Sequence, residues 1–119
     1  VLVIEDDPAI RKLLRKYLEQ LDLVVLEAGN AKAALVLLEG EKPSLVCLDL
    51  VLPEASGLDI CERIRATPGL AATPVVVISA RSMPPDRARA EEVGANAYLV
   101  KPVRRQTFER VVKELLQLD

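Results

Sequence analysis

The sequence predicts an α/β fold: a doubly wound parallel sheet of five strands with helices on both faces. Three observations carry this. Five short apolar runs alternate with five stretches of helical periodicity, the pattern of repeated β-α units. The runs are nearly unbroken Val, Ile and Leu, as expected of strands buried on both faces. The chain has 119 residues, half of them hydrophobic, which suits one well-filled core. Right-handed crossovers leave few topologies, and the strand order 2-1-3-4-5 is the expected one.

Residues 1–4 form a β-branched run that ends in Glu5, Asp6 and Asp7. Asp7 can cap a helix whose first position is Pro8. Ile10, Leu13, Leu14, Tyr17, Leu18 and Leu21 mark its apolar face. Residues 23–26 read as the second strand. Asn30 caps a second helix reaching about Glu39, with Ala34, Leu35 and Leu38 inward, and Gly40 is expected to end it. Residues 44–48 are a third strand closing on Asp49. A loop with Pro53 and Gly57 leads to a third helix over about 58–65, broken by Thr67-Pro68-Gly69. Residues 74–79 are the fourth strand. Pro84-Pro85-Asp86 opens a fourth helix that reaches Val93 and stops at Gly94. Its apolar face is thin, with Ala88, Ala90 and Val93 as the inward candidates. Residues 97–100 are the fifth strand, and the last helix starts near Gln106 with Phe108, Val111, Val112, Leu115 and Leu116 inward. No linker interrupts the pattern, so residues 1–119 are expected to be a single domain. Val1 already lies in a strand, which suggests a domain excised from a longer chain.

Composition narrows the function. The net charge is −2, there is no basic stripe, and aromatic residues are only 3% of the chain. Direct nucleic-acid binding by this segment is therefore not expected. No apolar run approaches the ~20 residues of a membrane span, and the expected location is cytoplasmic. Cys47 and Cys61 sit in apolar stretches and read as reduced core residues. The chain contains no histidine. That excludes His-based triads, His-containing zinc sites and a role as phosphohistidine donor.

In an open parallel sheet, ligands bind beyond the carboxyl ends of the strands. There the first strand offers Glu5, Asp6 and Asp7, the third Asp49, the fourth Ser79 and Ala80, and the fifth Lys101-Pro102. Clustered carboxylates repel one another, and a hard divalent cation relieves that repulsion. Oxygen ligands of this type suit Mg²⁺. A carboxylate beside such an ion can act as a nucleophile and accept a phosphoryl group, with Lys101 and the Ser79 hydroxyl sharing the phosphoryl oxygens. Each residue alone has a plainer reading. Asp7 is better read as the helix cap, Glu5 and Asp6 fit cap and metal ligand equally, Asp49 suits a turn, and Lys101 suits a solvated loop. Their convergence at one sheet end gives them weight.

Taken together, the motifs are similar to those of the response-regulator receiver family over nearly the whole chain. Val-Leu-Val-Ile-Glu-Asp-Asp-Pro resembles that family's first strand and acidic pair, Asp49 to Pro53 with Gly57 its phosphorylation loop, Ser79-Ala80 its Thr/Ser-Ala pair, and Tyr98 to Pro102 its last strand. The resemblance implies a flavodoxin-like fold and a Mg²⁺ cofactor, with Mn²⁺ able to substitute. It implies Asp49 as phosphoacceptor, Asp6 as direct metal ligand, Glu5 as the outer acid and the Val51 carbonyl as a further ligand. It also implies Ser79 and Lys101 as catalytic groups, Ser79 and Tyr98 as switch positions, and a cis Lys101–Pro102 bond. The implied partner is a histidine kinase or phosphotransfer protein, with an output domain or downstream protein that the sequence does not name. Such a domain is not an enzyme in the usual sense, promoting only its own phosphorylation and dephosphorylation. Glu5 stands where Asp is commoner and Ser79 where Thr is commoner, and the segment before Tyr98 lacks the paired Asp of many DNA-binding regulators. Val51 and Arg81, two residues past Asp49 and Ser79, replace side chains able to orient a water, so slow self-dephosphorylation is expected.

Three rival functions compete with this one. A never-phosphorylated interaction module is disfavoured by the intact Asp6, Asp49, Ser79 and Lys101. A Mg²⁺-dependent phosphatase resembling the haloacid dehalogenases needs a second Asp at position 51, which is Val. An FMN carrier needs a Ser/Thr/Gly-rich loop after the first strand, and here that loop is acidic.

Overall fold

The computed structural model describes residues 1–118. The chain opens with β1 (Leu2–Ile4), α1 (Pro8–Glu19), β2 (Leu26–Ala28), α2 (Ala31–Glu41) and β3 (Val46–Leu48). A two-strand ribbon, β4 (Val51–Leu52) and β5 (Ala55–Ser56), leads into α3 (Gly57–Ala66). β6 (Val75–Ser79), α4 (Pro84–Glu92), β7 (Ala97–Val100) and α5 (Arg105–Leu116) complete it. The main sheet runs β2-β1-β3-β6-β7, all parallel. With the ribbon set aside, this is the expected 2-1-3-4-5 order.

Strand alternation splits the core in two. Leu2, Ile4, Val46, Leu48 and Val75 pack with Ala34 and Leu38 of α2 and with Ile60, Cys61 and Ile64 of α3. Val3, Cys47, Val76 and Ile78 face the other way, onto Leu14 and Leu18 of α1 and Phe108 and Val112 of α5. The α4 helix is held by less: Ala90 is its only fully buried residue, and it packs beside Val77 and Leu50. Both cysteines are free and buried, as expected. Burial pushes the Cys47 thiol up to about 12. Among the described residues, no helix is long and apolar enough to cross a membrane.

Several boundaries differ from the sequence reading. The second strand is Leu26–Ala28 rather than 23–26, and Val24 is 81% exposed. The ladder with β1 takes in Glu27, opposite Val3, because Arg11 and Arg15 neutralise that carboxylate at the sheet edge. Gly40 does not end α2, which runs on through it. The stop is Lys42, in the left-handed region with φ 44°; Pro43 follows it, and a residue before proline is driven out of the helical region. The third helix begins a residue early because Ser56 caps it, its Oγ accepting from the Leu58 N–H at 3.2 Å. Leu13 is 42% exposed instead of buried, and Ala88 also faces solvent. The ribbon was not anticipated. It turns through Pro53 and Glu54, the latter with φ 58°, as a tight turn with a left-handed third residue requires.

Candidate functional site

The site is built from residues at or one step past the strand ends, where the sheet ladder still grips the backbone. The Glu5 N–H donates to the Ala28 carbonyl at 3.0 Å, the Asp49 N–H to Ile4 at 3.1 Å, and the Lys101 N–H to Ser79 at 2.8 Å. Glu5, Asp49, Ser79 and Lys101 therefore inherit the rigidity of β1, β3, β6 and β7. The peptide between Lys101 and Pro102 is cis, as expected.

Lys101 Nζ lies 2.6 Å from Glu5 Oε1 and 3.0 Å from Asp49 Oδ2. Glu5, Asp49 and Ser79 are buried, while Asp6 and Asp7 are exposed. Carboxylate oxygens of Glu5, Asp6 and Asp49 come within 4.8 Å of one another. Burial pushes the Glu5 carboxyl up to about 7; Lys101 and the Asp7 N–H oppose that rise and the nearby Asp49 adds to it. Burial alone would depress the Lys101 ammonium, but its bonds to Glu5 and Asp49 outweigh this and hold it above its ordinary value. The crevice thus concentrates negative charge around one cation, and three acids bring more charge than that cation balances. Hard oxygen donors at this spacing fit Mg²⁺, which binds through one or two carboxylates and keeps places for water or phosphate oxygens.

The other expected residues fall around this crevice. Asp7 caps α1, its carboxylate accepting from the Ala9 N–H at 2.9 Å and, more weakly, from Ile10 at 3.4 Å. Val51 opens β4; its N–H donates to Asp49 Oδ1 at 3.1 Å, and its side chain is half exposed. Ser79 Oγ accepts from the Arg81 N–H at 3.1 Å, a bond that uses a lone pair and not the O–H. The Tyr98 hydroxyl donates to the Arg81 carbonyl at 2.7 Å, and the Arg87 guanidinium stands 5.3 Å from the Tyr98 ring centre. The Arg81 side chain turns to Asp86, 3.8 Å away. Val51 and Arg81 both line a cavity of about 410 Å³, together with Leu58 and Arg89.

Two contributors escaped the sequence reading, and a third, Gly57, was named there only as part of the loop after Asp49. Gly57 packs directly under the Asp49 carbonyl. Arg11 donates to the Glu5 carbonyl at 2.8 Å. An apolar groove of about 310 Å³, lined by Ile10, Leu13, Leu14, Pro102 and Val103, opens beside Lys101. For the groove, Leu13 and the neighbouring apolar spacing carried a signal, but helical periodicity assigned them to the core.

Comparison with known proteins agrees with this geometry. The profile of the response regulator receiver domain matches residues 1–113. The chain is 40% identical over 114 residues to an uncharacterized 14.6 kDa protein from the sodA1 3′ region of Leptolyngbya boryana, covering 96% of this chain and 87% of that one. It is 40% identical over 102 residues to the KDP operon transcriptional regulatory protein KdpE of Escherichia coli K12, covering 86% of this chain and 44% of KdpE. It spans about half the length of the transcriptional regulators it matches. The signal receiver domain of a signal transduction histidine kinase from Syntrophus aciditrophicus superposes with a TM-score of 0.89 at 29% identity, covering 98% of this chain and 88% of that domain.

Proposed function

This chain belongs to the response regulator receiver family, a family of signalling domains of two-component systems, and from that premise we propose that Asp49 is its phosphoacceptor and Mg²⁺ its cofactor. The observation that carries the reading is the Lys101 ammonium held between Glu5 and Asp49 at the mouth of the sheet. An Asp49 oxygen attacks phosphorus, the new O–P bond forms, and the N–P bond of the donor phosphohistidine breaks with its electron pair leaving on the imidazole. Little covalent work falls to the protein; positioning and charge neutralisation dominate such transfers. Lys101 neutralises charge on the transferring group, and the Ser79 O–H is available to donate to one of its oxygens. Asp6, Asp49 and the Val51 carbonyl would hold the metal, which supplies further charge neutralisation when bound. Glu5, buried and bonded to Lys101, supports them from outside.

The donor is a histidine kinase or phosphotransfer protein. The donor is best received by the groove of Ile10, Leu13, Leu14, Pro102 and Val103, because that groove is continuous with Lys101 and hence with the acceptor. Output runs through Arg81, whose N–H is bonded to Ser79 and whose carbonyl is bonded to Tyr98. When the Ser79 hydroxyl turns to a phosphoryl oxygen, the Arg81 peptide follows and the Tyr98 ring and α4 shift with it. Val51 and Arg81 give no base to a hydrolytic water, so the aspartyl phosphate is long-lived. The signal passes to an output domain or downstream protein, and the cytoplasm is the compartment that suits such a partner.

The test is intact-mass measurement after incubation with acetyl phosphate. Wild type should gain one phosphoryl group with Mg²⁺ and none after chelation, and Asp49→Asn should gain none. Equal modification of Asp49→Asn would refute the assignment.

A further inference from the structure

We propose that Arg11 is a positioning residue for the metal ligand Asp6, acting through the peptide that joins Glu5 to Asp6; this rests on the reading of the site given above. Asp6 is exposed, and among the described residues no hydrogen bond or ion pair holds its carboxylate. With no side-chain partner, what the protein fixes is the direction its backbone gives the Asp6 Cα–Cβ bond. The preceding residue is pinned at both ends. On one side the Glu5 N–H is in the sheet ladder, at 3.0 Å from the Ala28 carbonyl. On the other, the Arg11 terminal nitrogen donates to the Glu5 carbonyl at 2.8 Å.

The guanidinium is itself fixed. Its Nε donates to Glu27 Oε1 at 3.1 Å, from the middle of β2, and both side chains are about three-quarters buried. Glu27 also pairs with Arg15, which in turn reaches Glu19 at 3.5 Å. Arg11 thus spans from the edge strand to the peptide plane that aims Asp6. A planar fork with donors on both edges makes this bridge; an ammonium on a flexible stem has no equivalent fixed geometry. The two arginines share Glu27 but differ in one respect: only Arg11 touches the acidic loop. That difference separates positioning from simple stabilisation.

The experiment is a Mg²⁺ titration followed by the amide shifts of Asp6 and Asp7, with a thermal melt of each protein. Partners that orient metal ligands are typically worth about 10–100-fold in affinity, so Arg11→Met should weaken Mg²⁺ binding roughly tenfold. Arg15→Met, which removes the other half of the Glu27 pair, should bind within about twofold of wild type at a similar loss of melting temperature. Arg11→Lys should fall between wild type and the Met variant, and it carries the same test where Arg11→Met does not fold. Wild-type affinity in both Arg11 variants, or an equal loss in Arg15→Met, would overturn the positioning role. Failure of the wild type to bind Mg²⁺ would instead overturn the reading of the site on which the proposal stands.

Discussion

Gly57 governs the acceptor loop although it carries no functional group. A Cβ there would lie 2.1 Å from the Asp49 carbonyl oxygen and 2.9 Å from the Leu50 Cα. Both obstacles are backbone, so no rotamer change relieves them. The same close approach lets the Gly57 N–H donate to the Leu50 carbonyl at 2.8 Å, closing the ribbon over Asp49. Gly57→Ala should cost roughly 1–3 kcal/mol through overpacking and slow Asp49 phosphorylation, because the acceptor must move to make room. Chemical denaturation and adduct formation with acetyl phosphate check the two effects; wild-type behaviour in both would show that the loop gives way freely. Single residues of the site were legible in the sequence where they end an apolar run: Glu5, Asp49, Ser79 and Lys101 all do. Gly57 showed its presence but not its reason, since its contact with Asp49 closes through a ribbon too short to have a periodicity. Arg11 showed nothing, because an arginine between Ile10 and Leu14 reads as a solvated flank until β2 places Glu27 beside it.

At the scale of elements, the sequence marks helices by spacing and their ends by chemistry, and the second signal is where α2 misleads. Gly40 reads as a helix stop, but the helix continues past it. The residue is exposed, and a Cβ there would meet no atom within 4 Å. Gly40→Ala should therefore stabilise the domain by up to about 1 kcal/mol, the helix-propensity difference between the two residues. A denaturation midpoint no higher than wild type would contradict that. The β2 strand misleads for a related reason: a count of apolar residues favours 23–26, but pairing with β1 selects Leu26, Glu27 and Ala28. In α1, periodicity places Leu13 in the core, and the structure leaves it 42% exposed at the groove beside Lys101. Leu13→Ser should leave modification by acetyl phosphate unchanged and cut transfer from a histidine kinase that phosphorylates the wild type by roughly tenfold, the loss expected of a buried contact worth somewhat over 1 kcal/mol. Equal rates from the kinase would remove the groove from the docking surface.

For the whole molecule, the five-stranded order β2-β1-β3-β6-β7 does the assembling. It puts β1 and β3 side by side with β6 and β7 next to them, so acids, hydroxyl and ammonium from distant parts of the chain meet beyond the carboxyl ends of the strands. This was legible, because alternating buried strands and amphipathic helices permit few topologies and each strand delivers its polar residue at the same end. The link from Ser79 through Arg81 to Tyr98 was only half legible: the side-chain positions were, but the two backbone bonds at Arg81 that join them required the loop's conformation. All of it turns on one claim, that the convergence makes Asp49 the nucleophile. Borohydride reduction converts an aspartyl phosphate to homoserine, so reduction of the phosphorylated protein followed by tandem mass spectrometry locates the bond directly. Homoserine is expected at position 49 alone, and only when Mg²⁺ was present. Homoserine at position 6, or at any other acid with Asp49 unmodified, would contradict it.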